Sequence, residues 1–127
     1  MRALMISLLT LSVLIGCWFY FHQYSERTLD ELVRVCQEEV MPAIEEDRWD
    51  HAYHTFQDQY QEWHRYKKWA LFVLETDKIN NTDTAFAKTL MYIKAKDFSN
   101  SSGELLALQE SLKFLHENEG ITLANVL

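Results

Sequence analysis

The chain has 127 residues, a formal net charge of -7, two cysteines, three glycines and one proline. That length allows one small domain with a single core and is too short for two, and the scarcity of glycine and proline excludes flexible linkers and low-complexity tracts. The acidic balance argues against nucleic acid or anionic lipid as a direct partner, because both need a basic footprint.

The first element is Ala3 to Phe21, a run without a charge, a proline or an amide side chain. As a helix it covers roughly 28 Å, close to the ~30 Å hydrocarbon core of a bilayer. Trp18, Phe19, Tyr20 and Phe21 close the run, where aromatic rings favour the headgroup interface, so a permanent transmembrane helix is expected. A competing reading is a lipoprotein signal: Leu14-Ile15-Gly16-Cys17 resembles the bacterial lipobox, which would make Cys17 the lipidated first residue. Against it, Cys17 leads into Trp-Phe-Tyr-Phe and not into a small polar tether, and Arg2 is the only side-chain cation before it. A third reading, a soluble secreted product, lacks an A-x-A-like cleavage site. Ser7, Thr10 and Ser12 can return their hydroxyls to the preceding turn, so they do not oppose insertion.

Orientation follows from the flanks. Arg2 and the terminal amine precede the span, whereas Arg27 after it is balanced by Glu26 and Asp30. Positive-inside counting therefore places the amino terminus in the cytoplasm and the remainder outside, by about one charge. All nineteen acids follow position 21, with all but Arg2 of the twelve bases.

Beyond the span one period recurs. Leu29, Leu32, Val33, Cys36, Val40, Ala43 and Ile44 form a helical stripe. Ser25 or Thr28 could cap that helix; without a cap, it and the span form one rod. Pro42 predicts a kink or an early stop and disfavours helical geometry at Met41. Cys36 falls on the apolar face and reads as a small buried hydrophobe, so no disulfide with Cys17 is expected. A turn at Glu45 to Arg48 leads to a second stripe of Trp49, Ala52, Tyr53, Phe56, Tyr60 and Trp63, giving a helical hairpin.

The next stretch keeps its phase through Trp69, Phe72, Val73, Ile79, Phe86, Leu90 and Ile93, so one long helix from about Arg65 to Lys96 is expected. A break at Asn80 to Thr82 is the alternative, given the turn propensity there. Ser101-Ser102-Gly103-Glu104 reads as a capping box for a last helix from Ser102 to about Asn118, seamed by Leu105, Leu108, Leu112 and Leu115 and stopped at Gly120. The apolar tail Ile121 to Leu127 is expected to pack on the bundle or to meet another chain. The fold class is therefore all-α, a transmembrane helix followed by an up-down bundle of about four helices, with residues 1-23 as anchor and 24-127 as the extracytoplasmic bundle.

The membrane-anchored amino terminus, the Trp49-x-x-Ala52 helix, Trp63 two turns before another aromatic and the closing Glu119 to Leu127 segment together resemble a small family of spore-forming Gram-positive bacteria, domain of unknown function 4363. The resemblance covers nearly the whole chain and implies a single-pass bacterial membrane protein with a helical extracytoplasmic part. It brings no reaction, cofactor or catalytic residue.

Three constellations carry possible chemistry. Asp47, Asp50, His51 and His54 stand three to four apart, and imidazoles one turn apart can share a metal; the competing reading is an ordinary polar helix face, since no Glu-x-x-His counterpart completes a bundle site. His64 and His116 lack a nucleophile at recognisable spacing, no G-x-S-x-G occurs and phosphate-binding glycine loops are absent, so neither an enzyme nor a cofactor is expected. His64-Arg65-Tyr66-Lys67-Lys68-Trp69 is the only local positive patch: a solvated helix face, or a docking patch (Arg65, Lys67, Lys68, Trp69) for a lipid headgroup, wall polymer or acidic partner. The expected function is a membrane-anchored helical interaction module, an accessory or scaffold subunit of another envelope protein. The alternative is an extracytoplasmic domain that senses a small ligand or divalent cation.

Overall fold

A computed structural model describes residues 1–126 apart from 73 and 75, with side chains as far as Leu115. Among the described residues the fold is all-α and contains no strand. Four helices follow one another: α1 (Arg2–Glu45), α2 (Trp49–Ala70), α3 (Thr76–Lys94) and α4 (Phe98–Val126). Each packs on its neighbour in sequence, and α4 returns to α1, which closes an up-down ring.

The first helix runs without interruption from the apolar segment into the bundle. Neither Ser25 nor Thr28 caps a separate helix; Ser25 is buried inside α1. Pro42 neither stops nor sharply breaks it. The chain widens into a π-helical turn at Cys36–Val40, where the Met41 amide donates to the Cys36 carbonyl, and then resumes over Met41–Glu45. Proline has no amide to give and its ring collides with the carbonyl four residues back, so a widened turn just ahead of it accommodates both defects. Met41 is helical, at φ -61° and ψ -47°, contrary to the expected effect of the proline that follows it.

Leu29, Leu32, Cys36, Val40, Ala43 and Ile44 are buried as their spacing requires, with Val33 partly buried against them. On α2 the buried set is Ala52, Phe56, Trp63, Tyr66 and Ala70. At the centre, Phe86 of α3 stacks against Phe56, Tyr60 and Trp63 at ring separations of 5.5, 5.5 and 5.4 Å.

Two turns share one chemistry. At the α1–α2 turn the Arg48 amide reaches back to Ala43 O at 2.8 Å and the Asp47 amide to Ile44 O at 3.2 Å; at the α3–α4 turn Asp97 bonds to Tyr92 O and Lys96 to Ile93 O, both at 3.0 Å. These are Schellman closures, and their left-handed residues are Asp47 (φ 59°) and Lys96 (φ 56°) in place of the usual glycine.

The expected helix from Arg65 to Lys96 is corrected on both readings. Arg65 to Ala70 belong to α2, and the chain reverses between Ala70 and Thr76, so Asn80 to Thr82 lie inside α3. Trp69 and Phe72, in phase with the expected stripe, are exposed, while Ile79, Thr82, Phe86, Thr89 and Ile93 are buried. Thr82 and Thr89 enter the core because each hydroxyl donates to a carbonyl one turn back, Lys78 O at 2.9 Å and Ala85 O at 2.7 Å. The start of α4 is corrected too. Asp97 caps it, accepting from the Asn100 amide at 3.1 Å, whereas Ser101 lies in the first turn and donates to Asp97 O. Gly120 does not end the helix, which continues to Val126. The expected packing of the tail falls on side chains outside the described residues.

Candidate functional site

The four groups proposed as metal ligands do not form a centre. Asp47 is the left-handed residue of a turn, while Asp50, His51 and His54 are exposed along α2, and His54 sets its ring edge-on to Tyr53 at 5.7 Å. Among the described residues no three His, Cys, Asp or Glu side chains stand close enough together to hold a metal ion. His64 is exposed with its ring 4.4 Å from that of Tyr60, and His116 lies outside the described side chains. Cys36 is buried, and desolvation pushes its thiol up to about 12, so it stays protonated and unreactive near neutrality.

The basic and aromatic run is divided by the period of α2. Trp63 and Tyr66 turn inward, Arg65, Lys68 and Trp69 turn outward, and Lys67 lies half-buried between them. Arg65 pairs with Glu62 on the same helix. Lys67 reaches across to Asp83 of α3 at 3.5 Å, and the other Asp83 oxygen accepts from Trp63 Nε1 at 3.1 Å. Lys67 and Trp63 thus pin α2 to α3 through one carboxylate, which gives Lys67 a structural partner. Lys68 is exposed beside Trp69, which is 60% exposed.

This patch sits where the bundle meets the apolar segment. Tyr66 stacks on Phe21 at 6.5 Å, lies 6.2 Å from the Tyr24 ring and shares a short hydroxyl contact with Ser25. One turn further on, Trp69 joins Cys17, Tyr20, Phe21 and Tyr24 around a groove of about 480 Å³. Leu71 and Phe72 follow at 42% and 85% exposure. Reasoning from periodicity missed this cluster, although the inward series Trp63, Tyr66 and Ala70 already places Trp69 and Phe72 off the buried stripe. Cys17 is exposed at the edge of the same groove.

A larger open groove of about 610 Å³ lies between α3 and α4. It is flanked by Lys78, Glu110 and Lys113, and the Lys78 ammonium sits 4.5 Å over the Phe114 ring. Within the apolar segment the side chains are uncovered: α1 is long and apolar enough to cross a membrane, and none of its apolar stretch is buried by the rest of the chain.

The model of the family described as Domain of unknown function (DUF4363) matches residues 19–126. No curated protein and no solved structure matches the chain.

Proposed function

Because the chain belongs to the DUF4363 family, whose description names no reaction, we infer its role from its surfaces: a single-pass, membrane-anchored helical module that serves as an accessory or scaffold subunit of another envelope protein. The observation that carries the anchor is the uncovered apolar length of α1, with Leu4, Leu8, Leu11 and Phe19 all more than half exposed. A surface of that size is stable only in lipid or against another protein. The thin positive flank at Arg2 favours a cytoplasmic amino terminus and an extracytoplasmic bundle. An interaction role is supported by Met91 on α3 and by Phe98 and Leu106 on α4, which the chain's own packing leaves exposed. Detergent extraction and affinity purification of the full chain should recover a second membrane protein at fixed stoichiometry, lost in a Met91→Ser, Leu106→Ser variant that remains folded. Repeated recovery of a lone monomer refutes the scaffold reading, and protease protection in spheroplasts tests the orientation.

A sensing domain is the second reading, favoured by the open groove between α3 and α4 with cations on its rim. Calorimetry of the full chain with divalent metals and small anions tests it. Absence of heat removes this reading, as does heat that survives the paired Lys78→Ala, Lys113→Ala change at the rim of the groove. Lipidation at Cys17 is decided by the mass of the mature amino terminus: an intact Met1 or Arg2 supports the spanning rod, and a diacylated Cys17 replaces it.

A further inference from the structure

We propose that the α2–α3 turn is a second membrane contact, in which Trp69, Leu71 and Phe72 seat in the interface of a phospholipid bilayer beside the emerging α1 and Lys68 reaches the lipid phosphates. The inference rests on the reading that residues 3–21 span the membrane.

The level of the turn carries it. Helix α2 runs antiparallel to α1, and Tyr66 is fixed opposite Phe21, Tyr24 and Ser25. Each residue beyond Tyr66 moves about 1.5 Å toward the amino terminus of α1. Trp69 shares its groove with Cys17 and Tyr20 as well as with Phe21 and Tyr24. Leu71 and Phe72 come after it, so they stand level with the last turns of the apolar run and not with the soluble part of α1. If α1 enters lipid there, the turn is in the interface with it. The lengths fit: the 22 residues of α2 span about 33 Å and α1 from Phe21 to Glu45 about 37 Å, so the residues just past Ala70 come level with Phe21.

Composition is the second argument. Three large apolar side chains are exposed within four residues, which a water-facing turn rarely tolerates. Tyr20 at 75% and Phe19 at 61% exposure stand at the same height on α1, so the turn extends one aromatic belt from a single helix to a wider footprint. The net charge of -7 disfavours broad attraction to anionic lipid, but the last turn of α2 carries the locally opposite sign at Lys67 and Lys68. Asp83 engages Lys67, and the Lys68 stem is long enough to place its ammonium at phosphate level while Trp69 stays in the apolar zone. Among the described residues, Asp77 in the first turn of α3 is the acidic side chain nearest this turn, and the helix amino terminus favours it there.

The test is a nitroxide scanned through the full chain in vesicles of phosphatidylcholine with a minority of phosphatidylglycerol. Leu11→Cys, Phe72→Cys and Arg48→Cys are labelled singly in a Cys17→Ser background, where the buried Cys36 stays unlabelled. Accessibility to oxygen and to a water-soluble nickel chelate gives the depth. The expected order is Leu11 deep in lipid, Phe72 at shallow depth with oxygen favoured over nickel, and Arg48 in water. Adding Leu71→Asp should raise nickel access at position 72 several-fold. A Phe72 label in water with Leu11 in lipid overturns this inference and leaves the anchor standing. A Phe72 label shielded from both reagents assigns the turn to a second copy or a protein partner and overturns it as well. Leu11 in water refutes the anchor and this contact together.

Discussion

Truncating Phe86 should reveal how far the bundle depends on one aromatic ring. Phe86 is fully buried and touches three rings of α2. Replacing it with alanine removes its burial and opens a cavity between α2 and α3, a loss of about 4 kcal/mol. Leucine keeps most of the volume but none of the ring stacking, so Phe86→Leu should cost only about 1–2 kcal/mol. Urea unfolding of the full chain in a mild detergent, followed by far-ultraviolet circular dichroism and by tryptophan emission, reads both. With a slope of about 2 kcal/mol per molar urea for a domain of this size, the midpoint should fall by about 2 M for alanine and about 0.5–1 M for leucine. The two probes should move together if the bundle is cooperative. A fall below about 0.5 M for Phe86→Ala, or equal falls for both variants, refutes the central role assigned to the aromatic stack.

Three further outcomes can be checked with the same unfolding assay. Asp83→Leu leaves the Trp63 N–H without its acceptor and Lys67 without its counter-charge, and should cost about 1–3 kcal/mol, whereas Asp83→Asn retains an acceptor for Trp63 and should cost less than half as much. Lys96→Gly, at a left-handed position, should raise stability by about 0.5–1 kcal/mol, the reverse of the usual effect of glycine in a helical protein. Burial raises the Cys36 pKa from 9.0 to about 12, so the unfolded chain releases this proton first. Stability should therefore fall as pH rises from about 9 toward 12, by up to about 1.4 kcal/mol per pH unit, and Cys36→Ala should remove that component. At pH 8 a thiol reagent should modify Cys17 in detergent and leave Cys36 untouched until urea is added.

The legible parts of this chain were those where one apolar stripe met one partner. The α1 stripe from Leu29 to Ile44 and the turn after Glu45 follow from spacing alone, because the buried residues are aliphatic apart from Cys36, which packs as a small hydrophobe. The α2–α3 reversal was illegible because its residue types are inverted. Residues 71–74 read Leu-Phe-Val-Leu, with no glycine, proline or asparagine to mark a turn, while Asn80, Asn81 and Thr82 stand inside a helix. Threonines that satisfy their hydroxyls on their own backbone look polar in sequence and behave as small core residues in space. The α4 cap was misplaced because Ser101 and Glu104 mimic a capping box one turn inside the helix that Asp97 had already begun. The same inversion hid the candidate site: exposed Trp69 and Phe72 resemble core, and the contacts of Tyr66 with Phe21 and Tyr24, with the groove Trp69 shares with Cys17, place them at the level of the apolar segment.

The unbroken passage of α1 from the apolar segment into the bundle has a mechanical consequence. With no swivel between them, any rotation of the bundle about that axis turns the apolar segment's face by the same angle. One residue inserted at positions 22–24 would rotate the two parts by about 100° and separate them by about 1.5 Å, carrying the α2–α3 turn away from its present level beside the apolar segment. An insertion of seven would restore the angle to within about 20° while lifting the bundle by about 10 Å. Angle and height are thus separately adjustable, so the helix acts as both a torque shaft and a ruler.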